Sequence, residues 1–387
     1  MFLQIHYLTS YHASLLNRDD AGLAKRIPFG GAPRLRVSSQ CQKRHWREWL
    51  LKQTDLPRGF RSRHFFSRIL KPRLMEAGMD EEQAHELILH LAKGILTAAG
   101  EKDALDKETL EMKQPVLFGQ PEAEYLLALL KEAAAQQDPK AFLDQKIREG
   151  KKNFQALLRE AGLKDPAAGF EGALFGRFVT SDVLARVDAP VHVAHAFTTH
   201  ALQTEVDFFT VVDDLACDEE TGAAHANDME LGAGIFYGYV AVDVPLLVSN
   251  LTGCEREEWR GQDHSDARRL LERLVQAITQ VTPGAKLGAT APYAHAECVL
   301  LEAGDAQPRS LANAFLDPVR LSRQQHPIAQ SAAAMADYLN RLEGMYGGNG
   351  ERRFLSSLHP WPREQEPALP LPQAIDGALE AVFGGGA

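Results

Sequence analysis

Residues 2–38 and 170–301 read as strand-rich, whereas residues 60–165 between them read as helical. A chain built this way folds as α+β, an antiparallel sheet made from both ends with a helical block inserted between them. In the first part, Leu3, Ile5 and Tyr7 alternate with Gln4, His6 and Leu8, the period of a half-buried strand. Arg34-Leu35-Arg36-Val37-Ser38 alternates again and runs straight into a helix beginning near Ser39. The middle block has helical spacing, as in Leu87, Leu91 and Ile95, and is broken at Gly100, Pro121, Asp138-Pro139 and Gly162. Strand sequence returns at 205–214 and 232–244, and the polar stretch Cys217–Leu231 between them predicts a long hairpin with an apolar-poor tip. An amphipathic helix is expected over 263–280, a strand over 297–301 and a helix over 331–342, with helices on one face of the sheet. Residues 360–372 are Pro-rich and predict an extended tail.

Charge is unevenly placed. The whole chain has 42 Lys and Arg against 52 Asp and Glu, but residues 1–75 hold 15 of the former and only 4 of the latter. The first 75 residues therefore carry 11 surplus positive charges and the remainder 21 surplus negative ones. That asymmetry fits one localised polyanion site on an acidic body, and equally a chance clustering on a solvated face. No stretch reaches the roughly 20 apolar residues of a bilayer span. Met1–Tyr11 lacks the basic-then-apolar layout of a signal peptide. Cys41, Cys217, Cys254 and Cys298 have no paired spacing and read as reduced thiols in a cytoplasmic setting.

The sharpest local signal is Ser38-Ser39-Gln40-Cys41-Gln42-Lys43-Arg44-His45-Trp46-Arg47. Ser39 with Gln42 three residues on fits a capping box and sets the helix start. Gln40, Lys43, Arg44 and Arg47 fall within an arc of about 100°, while Cys41, His45, Trp46 and Trp49 lie on the other side. A helix N-terminus offers unpaired N–H groups, Ser38 and Ser39 add hydroxyls, and cations one turn apart can track successive phosphates. The same pattern also fits an amphipathic surface helix whose charges are merely solvated.

Other candidates carry less. His192, His195 and His200, with Cys217 and His225 downstream, match no standard zinc spacing. Asp19-Asp20 and Asp213-Asp214 are adjacent carboxylates that point different ways on a strand, with no third ligand evident, so turn or solvated roles fit better. Phe208-Phe209 could stack on bases or pack within the hairpin. No phosphate loop, nucleophile elbow or dinucleotide fingerprint is present, and no cofactor is implied.

Leu16-Asn17-Arg18-Asp19-Asp20, Phe29-Gly30-Gly31 and Arg34 to Arg44 together resemble one family, the CasC-type backbone subunit of type I-E CRISPR Cascade complexes. The resemblance continues in Gly176 to Ser181, Val193 to His200, Asp207 to Leu215, Pro283 to Lys286 and Leu311 to Phe315. It implies an RRM-like (ferredoxin-like) palm at 1–56 and 173–355, helical fingers at 57–172, a thumb hairpin at 197–234 and a Pro/Gly-rich tail at 356–387. It implies a non-catalytic subunit that stacks head to tail with its own copies along CRISPR RNA. Other Cascade subunits join it, its thumb displaces a nucleotide at regular intervals, and the spacer is presented to target DNA. A nuclease processing RNA on a related fold, with Asp19 or Asp20 as its carboxylate, is the rival reading. By resemblance, Arg18, Lys25, Ser38, Gln40, Lys43, Arg44, Arg47 and Lys286 face the RNA backbone. Phe178 stands where the family usually has methionine against the RNA, and Phe208, Phe209 and Thr210 stand at the thumb wedge.

Overall fold

The computed structural model describes all residues except 98–104, 161–167, 178–186, 212–224, 323, 349 and 385–387, and describes only the backbone at 150–160, 209–211 and 225–227. The chain divides into two compact units. Unit 1 is Met1–Gln53, His192–Val242 and Arg268–Ala387, and unit 2 is Thr54–Val191 and Asp243–Ala267.

Unit 1 is built on an antiparallel sheet. Its first strands are β1 (Phe2–Ser14), β2 (Arg26–Phe29) and β3 (Ala32–Val37), with helix α1 (Ser39–Leu50) directly after β3. Strand order across the sheet is Arg352–Ser357, Cys298–Gly304, β1, His225–Asp243, Ala196–Thr198, β3, β2. β1 is therefore central, although its sequence begins the chain. Leu3, Gln4, Ile5, His6, Tyr7 and Leu8 are all buried, so the expectation of a half-buried strand fails. The reason is that both faces are covered. Leu8 pairs with Cys298 and joins Leu300, Leu355, Ile235 and Tyr237 beneath Ile328, Ala332, Met335 and Leu339 of the helix Pro327–Tyr346. On the opposite face Leu3, Ile5 and Tyr7 pair with Ala303, Leu301 and Val299, and Leu301 pairs in turn with Phe354. That face takes the helix Leu371–Phe383, whose Gly377 lies against the Phe354 ring. Helices thus sit on both faces of the sheet, not one.

The helix Leu371–Phe383 lies in the part of the chain read as a Pro/Gly-rich tail. Ala374, Ile375, Ala378, Leu379 and Val382 give it an i, i+4 apolar stripe that is almost fully buried. Burying each of the larger three is worth about 1.5–3 kcal/mol. Prolines before it set its start: Pro372 takes an early helical position, where a missing N–H costs nothing. The helix expected over 331–342 spans Pro327–Tyr346 and stops at Gly347, whose φ is 78°.

Strands Thr204–Val211 and His225–Asp243 form the hairpin, with Thr204 opposite Gly232 and Val211 opposite His225. The ladder reaches further than the polar sequence suggested. Residues 225–231, read as part of the tip, are strand, because backbone pairing does not require apolar side chains.

Unit 2 is the helical block. The helices Glu81–Thr97, Gln120–Ala134 and Pro139–Glu160 close over a core that includes Phe66, Leu87, Leu91, Leu126 and Leu130. A two-stranded sheet, Gly59–Ser62 with Val116–Gly119, adds the Phe65–Phe118 stack at 3.9 Å between centroids. Arg177 Nη1 donates to Glu122 Oε2 at 2.6 Å and to the Leu117 carbonyl at 3.2 Å, both side chains being buried. The arginine of the Gly176-Arg177 block thereby locks this unit together.

Candidate nucleic-acid interface

α1 is positioned by its first residues and by one buried glutamine. The N-cap is Ser38, not Ser39: the Cys41 amide donates to Ser38 Oγ at 3.3 Å. Gln42 does not close a capping box. It is buried, accepts from Tyr7 Oη at 2.6 Å and donates to the carbonyls of Val37 at 3.3 Å and Ala194 at 3.0 Å. A side chain needed to dock the helix on the sheet is not free to cap it. With Gln42, Trp46 and Leu50 buried, the opposite face turns outward, carrying Gln40 and Arg44 exposed and Lys43 and Arg47 half-buried.

The loop before β2 is tied to the start of this helix. Ser38 N–H donates to Asn17 Oδ1 at 2.9 Å, and Lys25 N–H donates to the Asn17 carbonyl at 2.8 Å. Asp19 Oδ1 accepts from the amides of Ala21 at 3.0 Å and Leu23 at 2.9 Å, so this carboxylate serves the turn. Arg18, on the same turn, is exposed. Glu230 on the hairpin accepts from the Ala24 amide at 2.9 Å and pairs with Arg26, fixing the loop to the hairpin base.

The electrostatics place these groups together. Burial pushes the Cys41 thiol up, while the charges of Arg44 and Lys25 pull it down, so both cations lie close to it. Burial lowers the His195 imidazole, and Arg36 and Lys25 lower it further. Arg36 Nη1 lies 2.7 Å from His195 Nδ1. Asn17, Lys25, Arg36 and Gly232 share one small cleft. Arg36 and His195 were not expected as site residues. The alternation in β3 marked Arg36 only as one of a pair with Arg34, and Arg34 is structural, fully buried and donating to the carbonyls of Thr198 and Phe315, each at 2.8 Å. Burial lowers Lys43, and the Glu48 carboxylate at 2.8 Å from Arg44 raises Arg44.

The loop that ends in Lys286 joins the same neighbourhood. Ala285 N–H donates to the Leu15 carbonyl at 3.0 Å, and Gly284 N–H donates to His45 Nε2 of α1 at 3.4 Å. Lys286 has φ 53°, a left-handed conformation that a lysine rarely adopts. The structure thus brings Arg18, Lys25, Ser38, Gln40, Lys43, Arg44, Arg47 and Lys286 onto α1 or the two loops tied to it. Phe208 lies out on the hairpin, 67% exposed. Phe209 and Thr210 hold strand positions opposite Asn227 and Ala226, and their side chains lie outside the described residues, as does Phe178. Asp213-Asp214 and Cys217 lie outside them too. His200 is buried, lies 2.8 Å from the Ala201 carbonyl and accepts from the Ile235 amide at 3.2 Å. Among the described residues no group of three His, Cys, Asp or Glu could hold a metal ion, and no helix is long and apolar enough to cross a membrane.

Fold and site together define an α+β protein whose α1 and two attached loops carry the cations Arg18, Lys25, Lys43, Arg44, Arg47 and Lys286. The chain belongs to the CT1975-like protein family, whose model matches residues 3–379. Among solved structures, a chain described as "CRISPR RNA-guided surveillance complex, pre-nicking" is 26% identical, with a TM-score of 0.77 over 99% of this chain and 100% of that one. A second, described as "CRISPR RNA-guided surveillance complex", shares the fold at 21% identity, with a TM-score of 0.60 over 98% and 99% of the two chains. No curated protein matches.

Proposed function

We propose that this chain is a guide-RNA-binding backbone subunit of a type I-E CRISPR surveillance complex, and that it is not itself a catalyst. The observation that carries this reading is the end-to-end correspondence with a chain described as a CRISPR RNA-guided surveillance complex, 26% identical over 99% of this sequence. Copies stack head to tail along the RNA. The cations of α1 and of its two attached loops contact phosphates, and the hairpin with Phe208 displaces a nucleotide at intervals. The exposed bases then pair with target DNA.

The chemistry of the face supports this. A subunit that leaves sequence reading to base pairing needs backbone contacts and no base-specific ones. Lysine, arginine, serine and a helix N-terminus meet that need.

The test is co-expression with the neighbouring CRISPR genes and array, followed by purification, sizing and nucleic-acid extraction. The expected product is a large particle with a discrete RNA in which this chain outnumbers the others. A nucleic-acid-free monomer that ignores its neighbours would sink the proposal.

A further inference from the structure

Arg36 carries a charge that no carboxylate answers among the described residues. It stands on β3 just before Ser38, the N-cap of α1, and its Nη1 lies 2.7 Å from His195 Nδ1 at the protein surface. Arg34, next along the same face of the strand, spends its guanidinium on the carbonyls of Thr198 and Phe315 inside the core. Arg36 has a neutral ring nitrogen in their place. Lys25, whose charge also reaches His195, lines the same small cleft as Arg36 and likewise has no carboxylate partner among the described residues. Glu230 comes to this loop but is held by Arg26 and the Ala24 amide. Cations left without a counter-ion at a surface attract an anion from outside.

The bond to His195 also fixes what that ring can do. A guanidinium only donates, so Nδ1 accepts and the proton of the neutral imidazole sits on Nε2. No described residue takes that Nε2–H. The His195 side chain is exposed, yet its backbone is held on both sides. Gln42 of α1 donates to the Ala194 carbonyl at 3.0 Å, and Ala196 pairs with Val37. The chain thus presents a preset donor beside the start of α1. Lys25 acts on both His195 and Cys41 of α1, which ties the pair to the cations already described. Arg36 Nε is buried without an acceptor, so a ligand meets this guanidinium only at its Nη end.

We propose that Arg36 and His195 add a phosphate contact to the nucleic-acid face: His195 donates Nε2–H to a backbone phosphate oxygen, and Arg36 holds the ring and supplies the charge. This contact presupposes the RNA-binding role proposed above and extends it from α1 and its loops onto the ends of two strands. A phosphate suits the pair because it offers several acceptor oxygens and a negative charge on one group, whatever the base attached to it.

Fluorescence anisotropy of the full-length chain with two labelled single-stranded RNAs of unrelated sequence, over a series of salt concentrations, tests it. Arg44→Gln in the same assay is the control for the face as a whole. His195→Phe should weaken both RNAs at least about fivefold and leave the salt slope unchanged, because a neutral donor releases no counterion. Arg36→Gln should weaken them further and flatten the slope by about 0.7. The double variant should lose less than the two separate losses combined, because Arg36 acts in part through His195. His195→Phe, at an exposed side chain, decides the matter if Arg36→Gln fails to fold. If Arg44→Gln weakens binding while His195→Phe does not, the contact is overturned and the RNA-binding role stands. A loss in His195→Phe that differs between the two RNAs overturns it too, since the ring would then read a base. If the unaltered chain binds neither RNA, the role and the contact fall together.

Discussion

Unit 1 holds two sets of arginines with opposite surroundings. Arg18 and Arg44 stand exposed and Arg36 and Arg47 half-buried in the N-terminal region, with Glu48 the one carboxylate paired to this set along α1. Arg309, Arg353 and Arg363 are largely or wholly buried and are held by four carboxylates. The difference bears on what each set can do. A guanidinium already held by carboxylates stabilises the fold and has little left for a ligand. One with few partners and open water around it keeps its charge for a polyanion arriving from outside.

The comparison breaks most visibly at Glu302, which accepts from Arg309 and Arg353 and contacts His6 while fully buried. Glu302→Ala leaves two guanidiniums facing a low-dielectric interior. The expected loss is about 3–5 kcal/mol, read as a lower urea midpoint. A loss under about 1 kcal/mol would show that the network is no more than a surface ornament.

Acid should produce the next largest effect. Burial alone would raise Glu302, but hydrogen bonds from Arg309 and His6 hold it well below the usual carboxylate range. Its stability is therefore present above the unfolded value of about 4.3 and is lost as pH falls below that value towards the folded one. His6 is depressed by burial, despite its bond to Glu302. For a lowered histidine, the unfolded chain takes up its proton first, so stability starts to fall below about pH 6.5. Each group contributes at most about 1.4 kcal/mol per pH unit. Urea midpoints between pH 7 and 5 should decline, and His6→Gln should flatten that decline. An equal slope in the variant would assign it to other groups.

The two sets also differed in how far the sequence revealed them. The α1 face was legible because its cations recur at helical spacing within eight residues, Gln40 to Arg47, so one period displays them together. The buried network was not, because His6, Glu302, Glu343 and Arg363 come from four distant segments that only the sheet and its helices assemble. Arg34 shows the limit of local reading: it sits in the basic run yet bonds only carbonyls inside the core. β1 erred similarly, since Gln4 and His6 look solvent-facing until their partners Tyr239, Tyr237 and Glu302 are known. The helix Leu371–Phe383 was hidden by the prolines preceding it, which mark its start and not its absence.

A smaller effect belongs to Ser38, which caps α1 and receives no help from Gln42. Ser38→Ala should cost about 1 kcal/mol, and Ser39→Ala a few tenths at most. Equal losses would return the helix start to Ser39.

The smallest effect on stability is the one that most sharpens the comparison. Arg44 pairs with Glu48 across one turn, both side chains at least half exposed, and such pairs are worth about 0.3–0.5 kcal/mol. Arg44→Gln should thus leave the urea midpoint almost unchanged, in contrast to every arginine of the buried set. If the face binds a polyanion, the same substitution removes one phosphate contact. The slope of log affinity against log salt for a single-stranded RNA should then flatten by about 0.7, by the same amount for unrelated sequences. A slope that stays put while stability drops would place Arg44 with the buried arginines. A loss that varies from sequence to sequence would mean that this face reads bases, contrary to the role proposed for it.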